Sequence, residues 1–200
     1  MRRPYWMLAA VALAGCQISE TPLQLAVKAQ DLATVKALLE AGADTHATSL
    51  REASSARLLA FNGLDSSPDS PAVDVLRLML SHEGSRLADE RFSLNCRKTP
   101  CRSVSAVELA IRHWNPGAVS ALIEAGLTPR SQGTTDALVY ALADGNDEGA
   151  RLLVEAGADL NGRASSGSGP MEGSSPLEAA RNRTAGSPEM VPYLLSKGAL

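Results

Sequence analysis

TPLQLAVKAQDLATVKALLEAGAD, residues 21–44, decides the reading of this chain. Thr21 is an N-cap residue, Pro22 suits the first helical position, and Gln24 completes a capping box with Thr21. Leu23, Ala26 and Val27 give one apolar face at helical spacing. Asp31 starts a second helix, in which Leu32, Val35, Leu38 and Leu39 form the next apolar stripe. Gly42 follows the last turn, where a left-handed residue ends a helix. Two such short helices cannot bury their faces alone, so the unit needs neighbours.

The neighbours follow in the chain. SAVELAIRHWNPGAVSALIEAG (105–126) and DALVYALADGNDEGARLLVEAGADLN (136–161) repeat the pattern at the same internal spacing. SPLEAARNRTAGSPEMVPYLLSKGA (175–199) repeats it with two extra residues between the helices, and a degenerate copy lies between Ser54 and Gly84. The stop glycines Gly42, Gly84, Gly126, Gly157 and Gly198 stand 42, 42, 31 and 41 residues apart, a period near 33 broken by insertions.

These units resemble ankyrin repeats, whose period is about 33 residues with a T-P-L-H-x-A signature. TPLQLA at Thr21 and SPLEAA at Ser175 carry the likeness, together with the LLEAGAD and LLVEAGADLN endings. The resemblance implies an all-α solenoid of about five helix-turn-helix units joined by hairpin fingers. The units run about 21–53, 54–104, 105–135, 136–174 and 175–200. The signature histidine is replaced by Gln24, Arg57, Glu108, Val139 and Glu178, so no hydrogen bond of that histidine carries over. Gln24, Glu108 and Glu178 can close capping boxes instead.

The N-terminus, MRRPYWMLAAVALAGCQ, has two arginines, a short apolar run and small residues before a cysteine. The run is too short to span a bilayer and reads as a secretory signal over 1–15. Leu13-Ala14-Gly15-Cys16 resembles a bacterial lipobox, in which Cys16 is lipidated and becomes the first mature residue; a plain signal peptide with a coincidental cysteine is the bland alternative. Gln17 is not the aspartate that retains many such lipoproteins at the inner membrane. The expected location is therefore the outer membrane, facing the periplasm. Residues 16–20 are a very short tether, so the first unit should sit close to the membrane.

The chain has 200 residues and a formal charge of −3, which becomes −5 once Arg2 and Arg3 are cleaved away. No basic stripe marks a nucleic-acid surface. Cys96 and Cys101, in NCRKTPCR, would face an oxidising compartment, and a disulfide across that small loop is the preferred reading. Free thiols and a metal site are the alternatives, and the spacing is not that of a usual zinc pair. The insertion carrying them makes the finger between Gly84 and Ser105 about nine residues too long; it is either a shaped recognition loop or a stabilised insertion. Gly162 to Ser174, rich in Ser and Gly, reads as a flexible linker. Pro192, one turn into the last helix, should distort it.

No GxSxG, HExxH, P-loop or GxGxxG motif occurs, and the three histidines fall in different units. The chain reads as a binding protein rather than an enzyme, a monomer with no cofactor. Stacked repeats offer an extended curved face lined by first helices and fingers. The resemblance places partner contacts at the ends of the first helices: Phe61, Asn62, Arg112, His113, Trp114, Asp144 and Arg183. It adds Arg51, Arg102, Met171 and Glu172 on the fingers. Trp114 stands where the turn between helices usually has glycine; it either packs on the next unit or anchors a partner. The expected role is an envelope adaptor docking another protein, with immunity against a secreted antibacterial toxin as the alternative.

Overall fold

The computed structural model describes residues 20–48, 54–94, 102–165 and 171–200. Cys16, Arg51, Cys96 and Cys101 lie outside these ranges, and with them the lipidation, one finger contact and the disulfide. Five helical pairs stack side by side. The first helices are α1 (Pro22–Lys28), α3 (Ala56–Asn62), α6 (Ala106–Arg112), α8 (Gln132–Asp144) and α10 (Pro176–Asn182). The second helices are α2 (Leu32–Glu40), α4 (Pro71–Glu83), α7 (Pro116–Glu124), α9 (Asp147–Glu155) and α11 (Met190–Ser196). First helices pack on first helices, α1 on α3, α3 on α6, α6 on α8 and α8 on α10. Second helices form a parallel outer layer from α2 through α9. One apolar core runs between the layers, with Leu23, Phe61, Leu76, Leu122, Leu138 and Leu153 fully buried.

The local chemistry repeats with the units. Asp31, Asn115 and Asn146 each cap a second helix, accepting from Thr34 N (3.1 Å), Ala118 N (2.7 Å) and Gly149 N (2.9 Å). The two asparagines do more. Asn115 Nδ2 donates to the Asp65 and Ser67 carbonyls at 2.7 and 2.8 Å, and Asn146 Nδ2 donates to the Ile111 carbonyl at 3.1 Å, tying each unit to the one before. After the second helices, Gly42, Gly126, Gly157 and Gly198 take φ of 80° to 97°, a region that costs a side chain dearly. The amide after each glycine closes back on Leu38, Leu122, Leu153 or Leu194.

Unit two departs from the pattern because the long finger begins there. Gly84 is followed by the one-turn helix α5 (Ser85–Ala88) and then by β1 (Arg91–Leu94), paired antiparallel with β2 (Arg102–Ser105). The register sets Arg91 opposite Ser105 and Leu94 opposite Arg102. Asp89 anchors the base of this hairpin by accepting from Thr128 N at 2.8 Å and Thr128 Oγ1 at 2.6 Å.

Four local expectations change. The copy expected to begin at Ser54 starts one residue later, with Ser55 capping α3 by accepting from Leu58 N at 3.4 Å. The first helix of unit four starts at Gln132 rather than 136, because Ser131 caps it through Thr134 N at 3.1 Å; Asp136 is left one turn inside. The expected flexible linker has pinned ends: Ala164 N donates to the Ser174 carbonyl and Gly173 N to the Ala164 carbonyl, both at 3.0 Å. Pro192 is the third residue of α11, where a helix has no amide bond to lose.

Candidate functional site

The face formed by the ends of the first helices is built one unit at a time. In the turn after α1, Gln30 has φ 53°; in the turn after α6, Trp114 has φ 52°; after α8 the same position is Gly145, φ 79°. A positive φ at a tryptophan is sterically unfavourable and persists only where its surroundings hold it. Here the indole Nε1 donates to Asp144 Oδ2, 3.1 Å away on the next unit, while the ring stays 46 % exposed.

Beside it, the Arg112 guanidinium lies 4.0 Å over the Tyr140 ring of α8 and donates twice to Glu108 Oε1, at 3.0 and 2.6 Å. Glu108 thus gives its carboxylate to Arg112, whereas Gln24 and Glu178 close the capping boxes expected of them. His113 is half-buried, and burial pushes its imidazole below the usual range; a hydrogen bond to the Leu64 backbone opposes this in part. Arg112, His113, Trp114, Tyr140 and Asp144 therefore form one patch across units three and four. A partly exposed indole and an arginine stacked on a tyrosine are residue types that dominate protein interfaces.

Other expected contacts separate from this patch. Phe61 is corrected to a core residue: it is 0 % exposed and meets Phe92 of β1 edge-on with ring centroids 5.6 Å apart. It seats the long finger on unit two instead of facing a partner. Arg183 is corrected likewise. Its buried guanidinium pairs with Asp147 and donates to the Ser187 carbonyl, stitching the inserted turn of unit five to α9. Met171 is half-buried against the core, Asn62 and Glu172 are exposed, and Arg102 lies on β2.

Two polar centres have no counterpart in the residues singled out from sequence. Arg57 is not at the signature histidine's position as expected: the Ser55 cap sets Leu58 level with Gln24 and buried Arg57 level with Leu23. Arg57 donates Nε to Thr45 Oγ1 (3.1 Å) and Glu83 Oε1 (3.0 Å), and Nη1 to Glu90 Oε2 (2.7 Å). Its Nη2 lies against Glu83 Oε2. The group forms the floor of an open cleft of about 490 Å³ rimmed by Asp44, His46, His82 and Arg86. Asp136, equally buried, accepts from Gln132 Nε2, Ser165 N and Ser165 Oγ at 2.7 to 2.9 Å, and Arg91 Nη1 stands 3.5 Å away. In sequence Arg57 stood out only as a substitute for the signature histidine, and Asp136 only as the expected first residue of its unit. Among the described residues, no three His, Cys, Asp or Glu side chains are grouped to hold a metal ion, and no helix is long and apolar enough to cross a membrane.

The comparisons agree with this geometry. The ankyrin-repeat family model matches residues 19–50. No curated protein matches the chain in sequence. Among solved structures, an ankyrin repeat domain from Acinetobacter baumannii AYE is 24% identical, covers 98% of this chain and 91% of its own, and superposes with a TM-score of 0.67. The ankyrin repeat domain of Bcl-3, a member of the IkappaB protein family, is 25% identical over 91% of this chain and 73% of its own, with a TM-score of 0.63. That of human ASB11 is 15% identical, covers 90% and 71%, and has a TM-score of 0.57. Residues 19–50 thus match an ankyrin repeat, and the stacked pairs share the fold of ankyrin repeat domains. Repeats of this kind generally mediate contacts between proteins and typically serve as binding scaffolds rather than enzymes.

Proposed function

We propose that the chain is a periplasm-facing, lipid-anchored adaptor that docks another envelope protein on the patch formed by Arg112, His113, Trp114, Tyr140 and Asp144. The observation that carries this reading is Trp114: a large apolar ring held half in solvent, in a backbone conformation that favours glycine, by a hydrogen bond to the next unit. A pre-ordered aromatic anchor loses little freedom on binding, which favours affinity. The Leu13-Ala14-Gly15-Cys16 motif supports lipidation at Cys16 and an outer-membrane location. A Cys96–Cys101 disulfide belongs to the same reading, on the oxidising compartment that a secretory signal implies.

The test is capture of partners from a detergent-solubilised envelope extract by Gln17–Leu200, with Trp114→Ala alongside. The adaptor reading expects one stoichiometric resident protein that Trp114→Ala fails to retain. A target delivered from another cell, such as a toxin, would overturn it.

A further inference from the structure

The first unit has an exposed stacking face. Leu25 of α1 is 54 % exposed, while its counterparts in units three and five, Leu109 and Ala179, are 4 % and 1 % exposed because the preceding unit covers them. On α2, Ala33, Thr34 and Ala37 are exposed, whereas their counterparts Gly117, Ala118 and Ala121 in unit three are buried. Leu32, at the start of the same helix, is 43 % exposed. An uncovered apolar end is unusual in a repeat stack, where terminal units turn a polar face outward. The other end of this stack exposes Leu195 and Leu200 as well, but sets Glu178, Arg181, Ser196 and Lys197 at the surface beside them.

The second helix of unit one differs from those of units three and four at three positions. Gly117 and Gly149 have no side chain because a Cβ would overlap Pro68 and Ile111 of the unit before. Ala33 and Thr34 stand at those two positions in unit one, where units four and three carry Glu148 and Ala118. Asn115 and Asn146 each offer an amide donor to the preceding unit's carbonyls, and Asp31 at the same position has none to offer. The face is apolar and lacks the amide donor that joins units three and four to their neighbours.

We infer that this end face, centred on Leu25, Leu32, Ala33 and Ala37, rests on the surface of the phospholipid bilayer. The inference rests on the lipid-anchor reading and gives it a geometry. From Cys16 to Glu20 the chain reaches at most ~14 Å even when fully extended. Glu20 is held on unit one by Lys28 Nζ at 2.7 Å, and the Thr21–Gln24 capping box fixes the next residues. A lipid on Cys16 therefore keeps α1 within one short tether of the membrane, and the nearest apolar surface is this one. Contact there orients the stack, carrying the Trp114 patch away from the bilayer by the width of two units.

Trp114 is the sole tryptophan after Cys16, so introduced tryptophans report cleanly. Leu25→Trp and Leu195→Trp place a ring at opposite ends of the stack, at sites 54 % and 48 % exposed, where neither disturbs the core. The full chain carrying its lipid is reconstituted in phosphatidylcholine vesicles with and without brominated acyl chains. The expected result is a blue shift and bromine quenching of Leu25→Trp beyond the wild type, with Leu195→Trp unquenched. Equal quenching of the two variants overturns the inference. So does a blue shift of Leu25→Trp in lipid-free Gln17–Leu200 without vesicles, which would mean that a second copy covers the face. The intact mass reports separately whether Cys16 carries lipid. If it does not, the anchor reading fails, and attachment of the Cys16 thiol to a maleimide phospholipid still decides the orientation by the same quenching.

Discussion

Replacing Arg57 by Met tests the most consequential departure from the family pattern. The guanidinium joins Thr45 of the first finger, Glu83 at the end of α4 and Glu90 beside the long finger. Its side chain is 8 % exposed and that of Glu83 is 7 %. Methionine fills most of the volume but leaves the buried Glu83 carboxylate without its arginine partner. Removing one member of a buried pair costs roughly 3–5 kcal/mol, mostly through the stranded charge. For a chain of this size each kcal/mol moves the melting temperature by about 2–4 °C, so a fall on the order of 10 °C is expected. Arg77→Met is the matched control: Arg77 meets Glu124 at 3.6 Å with both side chains exposed, and its loss should cost under ~1 kcal/mol. Urea unfolding of Gln17–Leu200, wild type and both variants, reads the difference. Added salt should barely change the Arg57→Met deficit, because buried charges are weakly screened. The double variant Arg57→Met/Glu83→Leu should recover much of the loss. A deficit below ~1 kcal/mol, or no recovery in the double variant, would refute the argument that this charge cluster holds units one and two together.

Trp114→Gly should leave stability within ~1 kcal/mol of wild type, because relief of the left-handed backbone offsets the lost hydrogen bond; partner affinity should fall by ~2 kcal/mol or more if the indole is an anchor. Titration calorimetry and melting on the same sample separate the two. Gly117→Ala should destabilise by ~1–3 kcal/mol, since its Cβ overlaps the Pro68 backbone, which cannot rotate away. Gly63→Ala, with its nearest neighbours at 3.7 Å and a negative φ, should be close to neutral in the same assay. His113 binds its proton less readily folded than unfolded, because burial disfavours the imidazolium. Stability should therefore decline as pH falls from about 6.5 toward the depressed folded value, and His113→Gln should flatten that slope in urea titrations across the range.

Much of this architecture is legible in the residues. Thr21, Asp31, Asn115 and Ser175 start helices where their side chains predict, because capping is a local interaction decided within four residues. The stop glycines mark the ends of second helices for the same reason. What the pattern hides depends on contacts between units. Ser131 wins the start of α8 from Asp136 because Asp136 is drawn into bonds with Ser165 and Gln132, which no local rule contains. Phe61 stands at a helix end that the family exposes, but the long finger folds Phe92 onto it. Arg183 is likewise taken by the inserted turn it stabilises. Insertions thus redirect side chains that the regular repeat would leave free. At the candidate site, Arg112, His113, Trp114 and Asp144 come together as their repeat positions suggest, while Tyr140 enters only through stacking between units.

The central claim is that a protein partner docks on the junction of units three and four. The most direct measurement is site-specific photocrosslinking in living cells, with a benzophenone amino acid at position 114 and, as control, at Glu148 on the exposed surface of α9. The account predicts one discrete crosslinked protein from position 114 and none from position 148. Crosslinks from 148 with none from 114 would contradict it and move the binding surface to the outer helices.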